Sequence, residues 1–174
     1  MLKLSFLSLL LVSSFASAEE ARRANAHVHG LNNLSMVISQ NQVAISYEMP
    51  IVQLLDDHEE HDDHDEHDDH EELTVSDETL ATFNNYSQLF EFPKGAGCNL
   101  TSFESGLHSV STEGDHKDVE LSYEFACSNP SQLKSLTINA FDRFSELETL
   151  NFEAVINNKA LTKSLKSDVN KVIF

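Results

Sequence analysis

Along most of the chain, apolar and polar residues alternate with the period of two that a half-buried strand requires. Leu34, Met36 and Ile38 share one face, and Val43, Ile45, Tyr47 and Met49 share another, with a turn around Gln40-Asn41. This predicts a hairpin, and Pro50 ends its second strand by removing a ladder donor. Ile51 to Leu55 is a short apolar bridge. Further on, Ser76-Asp77-Glu78 offers a cap and two acids for a helix start, and Leu80, Phe83, Tyr86 or Ser87, and Phe90 follow at helical spacing. One helix of about four turns fits there. Phe92-Pro93 and Gly95-Ala96-Gly97 break it, and Cys98 and Leu100 begin a new extended piece.

Gly106 to Lys117 reads as a polar loop. Val119, Leu121, Tyr123, Phe125 and Cys127 then alternate with Glu120, Ser122, Glu124 and Ala126, the clearest strand pattern in the chain. Asn129-Pro130-Ser131 is a turn; Leu136, Ile138 and Ala140 predict a strand, and Phe141 to Phe144 a helical or irregular corner. Leu150, Phe152, Ala154 and Ile156 alternate again before Asn157-Asn158, a pair that tolerates the positive φ of a two-residue hairpin turn. Lys159 to Leu165 returns, and Val169 to Phe174 holds a last short strand. The expected fold is α+β: a single, mostly antiparallel β domain of about six strands with one main helix.

One stretch breaks the pattern. From Asp56 to Glu72 the chain reads DDHEEHDDHDEHDDHEE, with His58, His61, His64, His67 and His70 at every third position and twelve Asp or Glu filling all the other positions. It has no apolar side chain to bury, so it is expected to be a disordered loop without a ligand. It also localises the charge. The chain has 29 acids against 11 bases, and outside the tract 17 acids remain, an ordinary acidic balance. Nucleic acid and anionic lipid are disfavoured as partners.

The first residues carry Lys3, an apolar run from Leu4 to Phe15 and then Ala16-Ser17-Ala18. This has the parts of a signal peptide over 1–18, with 19–174 as the mature domain and 56–72 as its His/acid-rich loop. The apolar run is shorter than the roughly 20 residues of a membrane span. No membrane association is expected after cleavage. In an exported chain Cys98 and Cys127 read as one disulfide, worth about 3–4 kcal/mol in the chain-entropy model. A thiolate zinc site would instead need short CxxC spacing.

The tract is not the HExxH motif of zinc proteases, because only two residues separate its histidines. Its imidazoles and carboxylates suit a divalent ion held in several interchangeable ways, with zinc, copper or nickel favoured over calcium. The bland alternative is a solvated acidic linker. His27 and His29, two apart, point to one side of an extended strand and form a second candidate pair, followed by Gly30. His116, entering the Val119 strand, is a third candidate if the fold brings strand starts together, and His108 sits in the polar loop. There is no nucleophile motif and no phosphate-cradling glycine loop.

These residues resemble the zinc-regulated periplasmic zinc-binding proteins of gammaproteobacteria, the ZrgA-like family. The resemblance covers His27-x-His29-Gly30 and the Leu34/Met36/Ile38 strand, Pro50, Phe92-Pro93 and Ala96-Gly97-Cys98. It continues through His116-x-Asp118-Val119, Tyr123-x-Phe125-x-Cys127, Phe141-x-x-Phe144 and Ala160-Leu161-Thr162. It implies a periplasmic, non-enzymatic protein that binds zinc and assists a high-affinity zinc importer, with an importer's zinc-binding protein as partner. It also raises His27, His29 and His116 as ordered ligands. The chain departs from the family pattern after Pro50, where a Gly-Phe-Glu-His stretch is replaced by a run straight into the tract. Two other readings compete: a secreted zinc hydrolase built on His27 and His29, and an acidic partner-binding module in which metal is incidental.

Overall fold

The computed structural model describes residues 31–55, 75–108 and 118–174. The first hairpin forms where alternation places it, as β1 (Leu31–Ser39) and β2 (Gln42–Pro50), joined through Gln40 at φ 57°. The next elements are a 3-10 turn at Ile51–Leu54, α1 (Asp77–Thr82) and β3 (Phe90–Glu91). The chain then forms β4 (Cys98–His108), β5 (Asp118–Cys127), β6 (Ser135–Ile138) and α2 (Ala140–Arg143). It finishes with β7 (Thr149–Ile156), β8 (Lys159–Leu165) and β9 (Lys171–Ile173).

Six strands form one sheet in the order β4-β5-β2-β1-β7-β8, and β3-β6-β9 form a second. Every pairing is antiparallel except β1 with β7. The α+β class and the antiparallel character therefore match the sequence reading. The strand number does not: nine strands and two short helices stand among the described residues, against about six strands and one main helix expected.

The four-turn helix is the largest correction. Ser76 caps α1 as expected, accepting from the Thr79 N–H at 3.1 Å, but the helix stops at Thr82. Asn84 and Asn85 follow as turn residues, and the side chain of Gln88 donates to the Thr82 carbonyl at 3.0 Å, satisfying an end the helix leaves open. The break lets Leu89 and Phe90, adjacent in sequence, both be fully buried, which one helix face does not allow. The expected residues do reach the core, but along a turn and a strand start.

Two smaller corrections follow the same logic. Ala140 opens α2 rather than continuing β6, because the backbone N–H groups of Asn139 and Ala140 both turn to the Leu89 carbonyl. Gly106 to His108, expected in a polar loop, belong to β4 and pair through His108↔Asp118; residues 109–117 lie outside the described part. Asn157 and Asn158 adopt φ 48° and 68° in the β7–β8 hairpin, as the pair predicts. The disulfide forms between Cys98 and Cys127, opposed across the β4–β5 ladder. Beside it Gly97 sits at φ 59°, where an added Cβ would run into Ser128 Oγ, so glycine is required.

The buried residues form one contiguous cluster on the inner face of the six-stranded sheet. The second layer covers β5 with aromatic rings: Phe92 and Tyr86 meet Phe125 edge-on at 4.9 and 4.8 Å, and Phe90 meets Tyr123 at 5.4 Å. Tyr123 donates to the Phe83 carbonyl at 2.9 Å, tying the end of α1 to the sheet. No helix among the described residues is long and apolar enough to cross a membrane.

Truncating Phe125 to alanine removes the ring on which two others rest, and urea unfolding should show a loss of about 3–5 kcal/mol. Burial also pushes the Tyr47 and Tyr123 phenols well above the ordinary tyrosine value, with the neighbouring Tyr47 adding to the shift at Tyr123. The unfolded chain ionises near pH 10 while the folded chain keeps both protons. Their contribution is thus full below about pH 10 and falls above it by about 1.4 kcal/mol per pH unit for each phenol. Unfolding curves between pH 8 and 11 should show this decline, and Tyr123→Phe should make it shallower.

Candidate functional site

The eight histidines singled out in the sequence, His27, His29, His58, His61, His64, His67, His70 and His116, lie outside the described residues. What the fold does define is where their segments join it. The His27/His29 segment leads into Leu31 at the start of β1, and the tract follows Leu55, just past the end of β2. His116 stands two residues before Asp118, the first residue of β5.

The ladder places these junctions together. Pro50 pairs with Asp118, Asp118 with His108, Asn33 with Glu48, and Leu31 with Thr149. The start of β1, the end of β2, the start of β5 and the end of β4 therefore share one end of the sheet. Two strand spacings, about 10 Å, separate the starts of β1 and β5. The described starts of β1 and β5, each two residues after a candidate histidine, are thus separated by β2 alone.

The same end is polar on both faces. Outward, Glu48 and Glu120 are opposed across the β2–β5 ladder; Ser46 donates to Glu120 at 2.9 Å, Asn33 to Glu48 at 3.5 Å, and Asn151 to Asn33 at 3.2 Å. Like charges directly opposed cost stability unless something offsets them. Inward, Asn32 is fully buried and donates to the Tyr47 hydroxyl at 2.6 Å, while its Oδ1 finds no hydrogen-bond partner. Gln53, in the 3-10 turn just beyond β2, likewise has both amide atoms buried and unpartnered. Sequence reasoning missed Asn32, Glu48 and Gln53. Period-two alternation puts Asn32 on the inner face with Leu34, but only register reveals that Glu48 faces Glu120.

Among the described residues no group of three or more His, Cys, Asp or Glu is arranged to hold a metal ion. Both cysteines are consumed by the disulfide, which removes thiolates from the donor set. The donor types that the sequence places in the segments attached at this end, imidazoles and carboxylates, are ones that suit zinc.

Compared with known protein families, residues 26–174 match the model of the ZrgA family zinc uptake protein. The chain belongs to the ZrgA family. The match spans the whole described fold, and it opens at Ala26, so it takes in both the His27/His29 pair and His116. Zinc uptake moves an ion without covalent chemistry on a substrate, so this ZrgA protein is not an enzyme, and the hydrolase reading falls away. A search of curated proteins returned no match.

The inward polar pair yields a stability test. Tyr47→Phe leaves the buried Asn32 amide with no partner at all and should cost about 1–3 kcal/mol in chemical unfolding. Combining it with Asn32→Leu, which removes both polar partners, should recover most of that loss.

Proposed function

We propose that this ZrgA protein is a periplasmic zinc-binding protein that captures zinc and assists a high-affinity zinc importer, handing the ion to that importer's zinc-binding protein. Residues 1–18 act in this reading as a leader removed on export. The observation that supports it is that Leu31, Pro50 and Asp118, described residues close in sequence to the histidine-bearing segments, stand at one end of the six-stranded sheet.

The division of labour follows from the residue types. The tract between Asp56 and Glu72 offers His58, His61, His64, His67 and His70 among twelve carboxylates. Such a set is a low-specificity collector, since the acids draw cations in and many ligand combinations are equivalent. His27, His29 and His116 lie within a few residues of the paired strands that begin at Leu31 and Asp118, and in this reading they form the more selective site. Zinc takes neutral imidazole, and protonation of the histidines competes with it.

Zinc titration into metal-free protein, followed by calorimetry, tests both roles. Deleting 56–72 should lower the number of ions bound per chain and leave the tightest site in place. His27→Ala with His29→Ala should weaken that tightest site by at least about tenfold, the lower range for loss of even an outer partner of a metal ligand. Lowering the pH from 7.5 to 5.5 should weaken both classes. Unchanged stoichiometry and affinity after the deletion would end the capture role.

A further inference from the structure

The outward face of the six-stranded sheet has no layer over it among the described residues, and its composition is unusual. Following the registers across the strands, Ala160, Val155, Val37 and Ala44 stand side by side on β8, β7, β1 and β2. Val37 and Val155 are 49% and 45% exposed, the two large apolar side chains that this face leaves open. Around this stripe stand Glu104, Glu124 and Glu153, all on outward positions of the same sheet, with Glu48 and Glu120 beyond them at the end already described. Among the described residues, no Lys or Arg occupies an outward position on any of the six strands.

The central rows are built from small side chains. Ser35, Ser46 and Ser122 are neighbours in one row, next to Ala44 in the row above. The result is a shallow depression of about 410 Å³ bordered by Val37, Ala44, Thr101 and Glu124, which continues into a second of about 310 Å³ over the serines. Six strands at about 4.8 Å spacing, seven residues tall at about 3.3 Å each, give a face on the order of 650 Å². That approaches the about 800 Å² per partner of a standard protein interface, and an apolar centre with a charged rim is the anatomy of one.

We infer that this face docks a partner protein through a surface on which Lys or Arg side chains surround a small apolar contact seated on Val37 and Val155. Charge selects that occupant. A second copy would set glutamate against glutamate, and the chain's own tract, with twelve acids, is repelled for the same reason. Nucleic acid and anionic lipid are excluded by sign. The partner's flat, basic surface gains affinity from the apolar stripe and approach rate from the glutamates, and so is sensitive to salt. The Val37/Val155 stripe with Glu124 and Glu153 lies away from the strand ends next to the candidate histidines, so docking there is tested with chelator present.

The test uses the full mature chain labelled with nitrogen-15, in EDTA, titrated with an amphipathic peptide of alternating lysine and alanine with a leucine-bearing face. The expected result is amide shifts centred on Val37, Ala44, Ser122 and Glu124, suppressed in 0.5 M salt and absent with a glutamate-for-lysine peptide. Glu124→Lys with Glu153→Lys, both exposed, should weaken binding at least tenfold, while Val37→Asn, which removes the apolar contact and keeps the charge of the face, should also weaken it. Zinc isotherms of these variants should match the parent protein. Shifts confined to residues 56–72, or equal affinity in the variants, would overturn the inference. A dimer in sedimentation equilibrium that Val37→Asn dissociates would also overturn it, by assigning the face to a second copy. If a variant lost its dispersed spectrum, the shift map of the parent protein would still decide.

Discussion

The packing of one strand against one aromatic layer holds this structure together. β5 contributes Leu121, Tyr123 and Phe125 to the inner face, and all three are essentially buried. Tyr86, Phe90 and Phe92 arrive from a single short stretch of chain and pack against them edge-on, contacts worth about 0.5–1.5 kcal/mol each beyond their burial. That stretch must leave α1 early to present adjacent residues to the core, which is why the helix is short. The disulfide then fixes the far end of β5 to β4, so the strand is held by packing along its length and by a covalent bond at its end.

Because β5 is fixed, so is the end of the sheet where it begins. Its pairing with β2 carries Asp118 to Pro50, and β1 follows on the other side of β2. Segments far apart in sequence thus enter the fold side by side. The polar groups gathered there are Glu48 facing Glu120 outside and Asn32 bonded to Tyr47 inside.

Alternation gives the sheet two faces with separate tasks. The inner face supplies the core; the outer one is left with serines, small apolar residues and glutamates, a surface with little to gain from water exclusion by its own chain. A zinc uptake protein has reason to keep ion capture at one end and contact with other proteins on a face, because the ligands then remain free while a partner is engaged.

Much of this was legible in the chain. Period-two patterns located β1, β2, β5 and β7, Asn157-Asn158 marked its hairpin, and two cysteines admitted a single pairing. The histidines and their acidic setting pointed to metal before any coordinates, because ligand chemistry is a property of side chains and needs no fold to be recognised. The helix after Ser76 was misread in extent, since spacing at 80, 83, 86 and 90 records which residues are buried and not the backbone that buries them. Strand order, the parallel β1–β7 neighbours and the opposition of Glu48 to Glu120 were beyond the sequence altogether. They are pairings between segments up to about a hundred residues apart, decided by how side chains of the whole inner face pack, and no local pattern encodes them. The sequence determined which donor side chains the chain carries; the tertiary structure decided that Leu31, Pro50 and Asp118, near the segments that carry them, stand at one end of the sheet, because that depends on strand pairing and not on local pattern.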